Sequence, residues 1–398
     1  MESVHTPSTT TRRDRLVTRW TRVLFAVLVA AALVMAVSLI PVGYVIQDAG
    51  PTVNVLGSQA DTPVLEFSQS GDYTKHVVRE KVPDEGQLRM VTVSSLGGPG
   101  TTVRVGDVVR AWFSPSTAVI PYSDLYAPET TAEDVAEAGA VQMESSHSAS
   151  AIAAMDYLGI PMETTMTVAG TVPGSGADGQ LLEGDVLVSL QTPDGVVHEV
   201  NSPSVPFVLM ENTPANSTIG VTVLRDGEIH KVDIVTAAPQ TSEDEGDRSD
   251  GDEDGDDSGD NAPQGSRMGV YLGADTEMPI DVSIHLERIG GPSAGLVFAL
   301  GIVDQLTPGG ITGGESIAAT GALDFVGNVV PIGGVVQKMY GAKRDGSQWF
   351  LIPDGNCAEA QGREPNGLRV VPVETLSEGV AAVQAIADGD GDSLPTCS

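Results

Sequence analysis

The sequence predicts a multidomain chain of α/β and α+β type carried on one N-terminal transmembrane helix. Three observations predict it. Val23 to Ile46 runs without a charged residue behind a cluster of arginines. Residues 240–262 hold eleven Asp or Glu against one Arg and divide what remains. Beyond that divide, short β-branched runs alternate with helical patterns, as in a layered α/β domain. At 398 residues and 41% hydrophobic content, the chain has room for two or three cores. A net charge of −33 excludes nucleic acid as a partner.

Residues 1–22 are polar and carry Arg12, Arg13, Arg15, Arg19 and Arg22, so they read as a cytoplasmic tail. Residues 23–46 are long enough to cross a bilayer of roughly 30 Å at about 1.5 Å per residue. A cleaved signal peptide is the alternative. The apolar run is long for one, and no small-x-small site follows it, which favours an uncleaved anchor with everything downstream extracytoplasmic. Residues 51–142 read as mixed and mostly extended: Leu88–Val93 alternates like a strand, and Val103–Phe113 offers one or two more. Thr130 or Thr131 ahead of Glu133 and Asp134 starts a helix. A helical pattern resumes over Ser145–Leu158 and stops at Gly159. The acidic stretch 240–262 cannot bury enough apolar surface to offset chain entropy and reads as a solvated linker. Its Asp250, Asp252, Asp254 and Gly255 mimic the start of a calcium loop, but the twelfth position is Asn261, so no metal is expected.

Past the linker, strands are expected near Gly269–Leu272, Val282–Leu286, Ile317–Thr320, Val329–Ile332, Trp349–Ile352 and Leu368–Val373. Helices are expected at Val335–Lys343 and Thr375–Ala387, with a short tail over 389–398. Between them lies Gly290-Gly291-Pro292-Ser293-Ala294-Gly295, a glycine turn feeding the apolar run Leu296–Leu306. Pro292 suits a first helical position, which places Ser293 in the first turn, where free N–H groups and the helix dipole favour a developing negative charge. That arrangement suits a nucleophilic serine; a simple helix cap is the bland alternative. All six histidines precede Ser293, so the α/β-hydrolase order of serine, acid and histidine is impossible. A lysine downstream, Lys338 or Lys343, is then the amine-type base available.

Two resemblances follow from the motifs. Residues 145–238 resemble a PDZ domain with a leading helix, on Thr167–Ala177 and on Leu181-Leu182-Glu183-Gly184-Asp185-Val186-Leu187. The paired strands Gly220–Arg225 and His230–Val235 around Asp226-Gly227 add to it. In that family the loop corresponding to Leu158, Gly159 and Ile160 offers N–H groups to a peptide C-terminus beside an open strand. The competing reading makes Gly159 a helix C′ residue.

Residues 265–388 resemble the proteolytic domain of the Lon peptidases. The match rests on Gly291–Gly295, on Thr320-Gly321-Ala322-Leu323 with Gly327–Lys338, and on Phe350-Leu351-Ile352-Pro353. The resemblance implies a Ser293 nucleophile and a Lys338 general base, with Thr320 as the hydroxyl that helps hold the lysine. Lys343 has no match. ATP-dependent Lon enzymes commonly carry Asp where this chain has Gly290; His285 and Glu287 lie nearby without an assigned role. A lysine base must lose its proton, and the apolar Val335, Val336 and Met339 offer the desolvation. No G-x-x-x-x-G-K-[ST] occurs, so no motor and no cofactor is expected.

The layout resembles membrane-anchored bacterial PDZ–Lon proteins: an ATP-independent serine endopeptidase acting on extracytoplasmic proteins or peptides, with homo-oligomers left open. A PDZ scaffold or sensor with a silent Lon-like domain is the alternative, and a purely structural membrane protein is a third. Cys357 and Cys397, the only cysteines, are expected to pair outside the cell.

Overall fold

The computed structural model describes residues 12–59, 61–69, 86–238, 265–286 and 289–397, without the side chains of 12–19, 21 and 69. The expected acidic linker 240–262, residues 1–11 of the expected tail, and Glu287 lie outside the described residues.

The first helix, α1 (Arg12–Ser38), ends well before Ile46. Pro41 follows, and it has no N–H to extend a helical ladder. The expected span 23–46 is therefore corrected at its outer end. Residues 44–54 form strand β1 (Tyr44–Asn54), whose Val45 and Ile46 are buried in the body of the protein. Among the described residues no helix is long and apolar enough to cross a membrane. In the described part of α1, Leu24, Phe25, Leu33, Val34 and Met35 are each more than half exposed.

The body is built on one six-stranded sheet. Its strands are β1, β3 (Gln87–Leu96), β4 (Ala118–Pro121), β11 (Ser316–Ala319), β14 (Trp349–Pro353) and β15 (Arg369–Val373), in the order β15-β14-β11-β3-β1-β4. β3, β11, β14 and β15 are parallel, with Leu88 opposite Ile317 and Ala318 opposite Phe350; β1 runs antiparallel to β3, and β4 in turn antiparallel to β1. Successive side chains point to opposite faces. Ile317, Ala319 and Leu351 pack with α5 (Gly295–Leu306), α8 (Leu376–Ala387) and α3 (Ala132–Tyr157). Ala318, Phe350 and Ile352 pack on the other face with α6 (Val335–Arg344). A strand pair, β2 (Leu65–Gln69) with β10 (Ile280–Ile284), and a hairpin, β12 (Ala322–Leu323) with β13 (Val329–Val330), complete the body.

The segment Val103–Phe113, expected as strand, is mostly helix α2 (Val105–Ala111). Asp107 accepts from the Arg104 N–H, and Val108 and Ala111 pack on Ile46, so capping and one apolar face outweigh the β-branched composition. α3 is one helix across the boundary expected near 142–145. Its Thr131–Asp134 capping box is formed in both directions.

A second core sits apart from the first. Met166, Val168, Leu187, Leu190, Val221, Val223, Ile234 and Met268 form it, under a sheet of order β8-β7-β6-β5-β9. These strands are β5 (Glu163–Thr171), β6 (Val186–Gln191), β7 (Thr218–Arg225), β8 (Glu228–Val235) and β9 (Val270–Glu277), with α4 (Ser204–Glu211) alongside. β7 and β8 turn through Asp226 and Gly227, both at positive φ, as a two-residue hairpin prefers. Asp185 is buried and accepts two bonds from the Arg225 guanidinium, at 2.7 and 2.6 Å.

This second domain is inserted into the first. The body takes β1 to α3 from before it and β10 to α8 from after it. From the region expected as 51–142, β3 and β4 thus lie in the same sheet as β11, β14 and β15, and β9, expected within the C-terminal domain, pairs with β5 of the inserted one.

Candidate active site

The four parallel strands end at one edge of the sheet, where open α/β folds gather their functional groups. α5 leads into β11 and α6 leads into β14, so both helices begin at that edge, on opposite faces. Ser293 stands just ahead of α5, Lys338 in the first turn of α6, and Thr320 follows the last residue of β11.

Ser293 does not lie within the helix. α5 begins at Gly295 with Ala294 as N-cap, and the first helical bond runs from the Phe298 N–H to the Ala294 carbonyl. The Ser293 carbonyl is taken by other donors: the Gly321 N–H at 3.0 Å and the Thr320 hydroxyl at 3.0 Å. That diversion turns the chain sharply at the serine. Gly291 sits at φ +101°, where glycine is favoured, and a Cβ on Gly295 would come within 2.8 Å of the Leu323 backbone and side chain. Among the described residues the N–H groups of Ser293, Ala294 and Gly295 have no hydrogen-bond partner. They are donors left for an anion at this turn.

Lys338 is 3% exposed. Burial lowers its pKa from 10.5 to about 8, against a smaller opposing pull from the Glu359 carboxylate. Its place in the first turn of α6 also disfavours positive charge there. α6 starts from Gly334 at φ +72°, where a Cβ would meet the Val93 side chain at 2.7 Å; only glycine lets the helix approach β3 so closely. Among the described residues the lysine ammonium has no hydrogen-bond partner, and no hydrogen bond joins Ser293 Oγ to Lys338 Nζ. Catalytic hydrogen bonds of this kind often tighten only with substrate bound. Thr320, 1% exposed, bonds the serine carbonyl rather than the lysine, so its place in the structure differs from the one the resemblance implied.

The peptide-binding reading of Leu158, Gly159 and Ile160 is corrected. Their three N–H groups cap α3: Leu158 donates to Ala154, Gly159 to Asp156 and Ile160 to Met155, with Gly159 at φ +66°. This is the C′-glycine motif, and it leaves no donor for a carboxylate. The adjoining strand is not open either. β5 is paired along its whole length with β9, from Glu277 opposite Glu163 to Val270 opposite Thr171.

Cys357 and Cys397 are joined in a disulfide. It ties the C-terminal tail to α7 (Cys357–Ala360), the short helix that carries Glu359. His285 pairs with Glu66 at 2.8 Å, and Lys343 donates to the Gly367 carbonyl, so neither faces the serine turn. Among the described residues no group of three His, Cys, Asp or Glu could hold a metal ion.

One support of the site lies far from it in sequence. Three residues of α3, Gly139, Ser146 and Ser150, bond the turn around Ser293. Ser146 and Ser150 read locally as polar members of a helix; only the long-range packing gives them a role.

Comparison with known proteins bears on the same segment. Residues 275–384 match the Lon protease (S16) C-terminal proteolytic domain. The archaeal Lon protease of Methanocaldococcus jannaschii is 37% identical over 107 residues, which are 27% of this chain and 16% of that protein. The Lon protease of Brucella suis is 41% identical over 105 residues, 25% of this chain and 13% of that protein. For the Lon protease of Rhizobium meliloti the identity is 37% over 108 residues, again 25% and 13%. The chain thus spans only about a sixth or less of the length of these relatives. Residues 275–384 are thus similar to the C-terminal proteolytic domain of the Lon (S16) proteases, and that similarity supports a serine peptidase.

Proposed function

We propose that the chain is an ATP-independent, membrane-anchored serine endopeptidase acting on extracytoplasmic proteins, with Ser293 as nucleophile and Lys338 as general base. What supports this is a sharply turned serine with free N–H donors just ahead of α5, together with a buried lysine of lowered pKa near the start of α6, both helices beginning at the same edge of the sheet. Ser293 Oγ attacks the peptide carbonyl and its proton passes to Lys338 Nζ. The oxyanion takes the free N–H groups of the turn, and Lys338 returns the proton to the leaving amine. Water, deprotonated by the same lysine, then hydrolyses the acyl-enzyme.

ATP independence rests on the sequence, which has no phosphate-binding G-x-x-x-x-G-K-[ST] loop. The exposed apolar side chains of α1 and the arginines before them support the anchor, with the N-terminus cytoplasmic. The inserted domain, with its five-strand path and α4, supports a PDZ-like recognition role through a surface other than 158–160. A second reading, a PDZ-like scaffold or sensor with a silent Lon-like domain, has one observation in its favour: the missing Oγ–Nζ hydrogen bond.

The test is digestion of an unfolded protein by the full chain in detergent, without ATP, beside Ser293→Ala and Lys338→Ala. Cleavage by the unsubstituted chain alone supports the dyad. Cleavage that survives both substitutions, or that requires ATP, refutes the proposal.

A further inference from the structure

The peptide planes around Ser293 are held one by one, and by different parts of the chain. The Gly290–Gly291 plane is held through its N–H, which donates to the Gly139 carbonyl of α3 at 3.1 Å. The two glycines are in such close approach that a Cβ on Gly290 would lie 3.1 Å from the Gly139 backbone. The Ser293–Ala294 plane is held through its carbonyl by Thr320 and Gly321. The Gly295–Leu296 plane is held twice: Ser150 Oγ lies 3.0 Å from the Gly295 carbonyl oxygen, and the Leu296 N–H donates to the Gly321 carbonyl at 3.1 Å.

The Pro292–Ser293 plane has one holder among the described residues. The Ser146 hydroxyl of α3 donates to the Pro292 carbonyl at 3.2 Å. On the other side of that plane is the Ser293 N–H, one of the unpartnered donors of the turn. Because the peptide unit is rigid, fixing its carbonyl fixes the direction of its N–H. Ser146 itself is 4% exposed and Ser150 is fully buried, so both hydroxyls approach the turn from its shielded side. His147, the next residue, sets its ring edge-on against Phe298 of α5 and locks the two helices face to face.

We propose that Ser146 is a positioning residue for the peptidase reaction: through the Pro292 carbonyl it aims the Ser293 N–H at the oxyanion and fixes the backbone from which Oγ attacks. α3 is then the strut of the nucleophile turn. It is also the stalk of the inserted domain, since its C-terminal cap leads directly into β5. This inference rests on Ser293 being the nucleophile.

The test compares the full chain with Ser146→Ala, Ser146→Thr and Ser293→Ala on a fluorogenic peptide, with a fluorophosphonate labelling rate and a melting temperature for each. Ser146→Ala lowers kcat and the labelling rate by roughly ten- to a hundredfold with KM little changed, because a small misaiming of a transition-state donor costs rate rather than binding. Ser146→Thr, which keeps the hydroxyl, recovers most of the loss, and the melting temperatures stay close together. Unchanged kcat in Ser146→Ala overturns the inference. So does a loss that Ser146→Thr leaves unrecovered, or one that follows the melting temperature. A different pattern, in which the unsubstituted chain neither cleaves nor labels, overturns the nucleophile reading and this inference with it.

Discussion

The pH dependence of the reaction is set by Lys338. An ordinary lysine titrates at 10.5, and burial brings this one to about 8. At pH 7 it is then about one-tenth neutral, against roughly one part in three thousand for an unperturbed lysine. If neutral Lys338 is the base, kcat/KM rises about fivefold from pH 7 to pH 8 and levels off near pH 9. The same burial has a stability consequence of fixed sign. The folded pKa lies below the unfolded one, so the unfolded chain holds more protons between about 8 and 10.5. Folding stability therefore rises with pH through that window. The contribution is full above 10.5 and is lost as pH falls through about 8. The burden carried below pH 8 is about 3 kcal/mol. Lys338→Met, which keeps the stem and removes the charge, should abolish cleavage and raise stability at pH 7 by up to about that amount. The assay is a pH–rate profile on a peptide substrate, with urea unfolding of both chains at pH 7. A rate flat from pH 6 to 9, or an inflection near 6.5 as for histidine, refutes the reasoning; so does a Lys338→Met chain less stable than its parent.

Other consequences follow from individual contacts. Thr320→Val removes the hydroxyl that holds the Ser293 carbonyl and should lower kcat by about tenfold, with Thr320→Ser near the parent; steady-state kinetics on the three chains checks it. Gly295→Ala drives a Cβ into Leu323 at 2.8 Å and should cost about 1–3 kcal/mol, read by denaturant unfolding, with loss of activity from the displaced turn. Reducing Cys357–Cys397 opens a closed loop with a sequence separation of 40 and should cost about 4 kcal/mol on the chain-entropy estimate, seen as a lower melting temperature in reductant.

Much of the local structure was legible in the sequence, because its signals are local. Thr131 with Asp134 and Asp226-Gly227 act within a few residues and lie where expected. Residues 349–353 and 369–373 are short apolar runs between turn signals, and both are strands. The insertion was not legible. Nothing in Leu88–Val93 announces that Leu88 pairs with Ile317, or in Val270–Glu277 that it pairs with Glu163–Thr171. Both pairings join segments far apart in the chain, and β composition alone does not choose partners. Val103–Phe113 misled through its β-branched residues, where a cap and one apolar face prevailed. At the site, Ser293 and Lys338 stood out through their motifs. The position of the serine relative to the helix did not, since it depends on Thr320 and Gly321 drawing away its carbonyl. For Gly159 both readings fitted the residues, and three hydrogen bonds to α3 carbonyls decide for the cap.

The central claim is that Ser293 is the nucleophile and Lys338 its base. The most direct measurement is mass spectrometry of the full chain after reaction with a fluorophosphonate at pH 8, with peptide mapping, beside Lys338→Ala. A single adduct on Ser293 is expected, forming far more slowly, or not at all, in Lys338→Ala. An adduct on another serine, or labelling of Ser293 at equal rate in both chains, contradicts it.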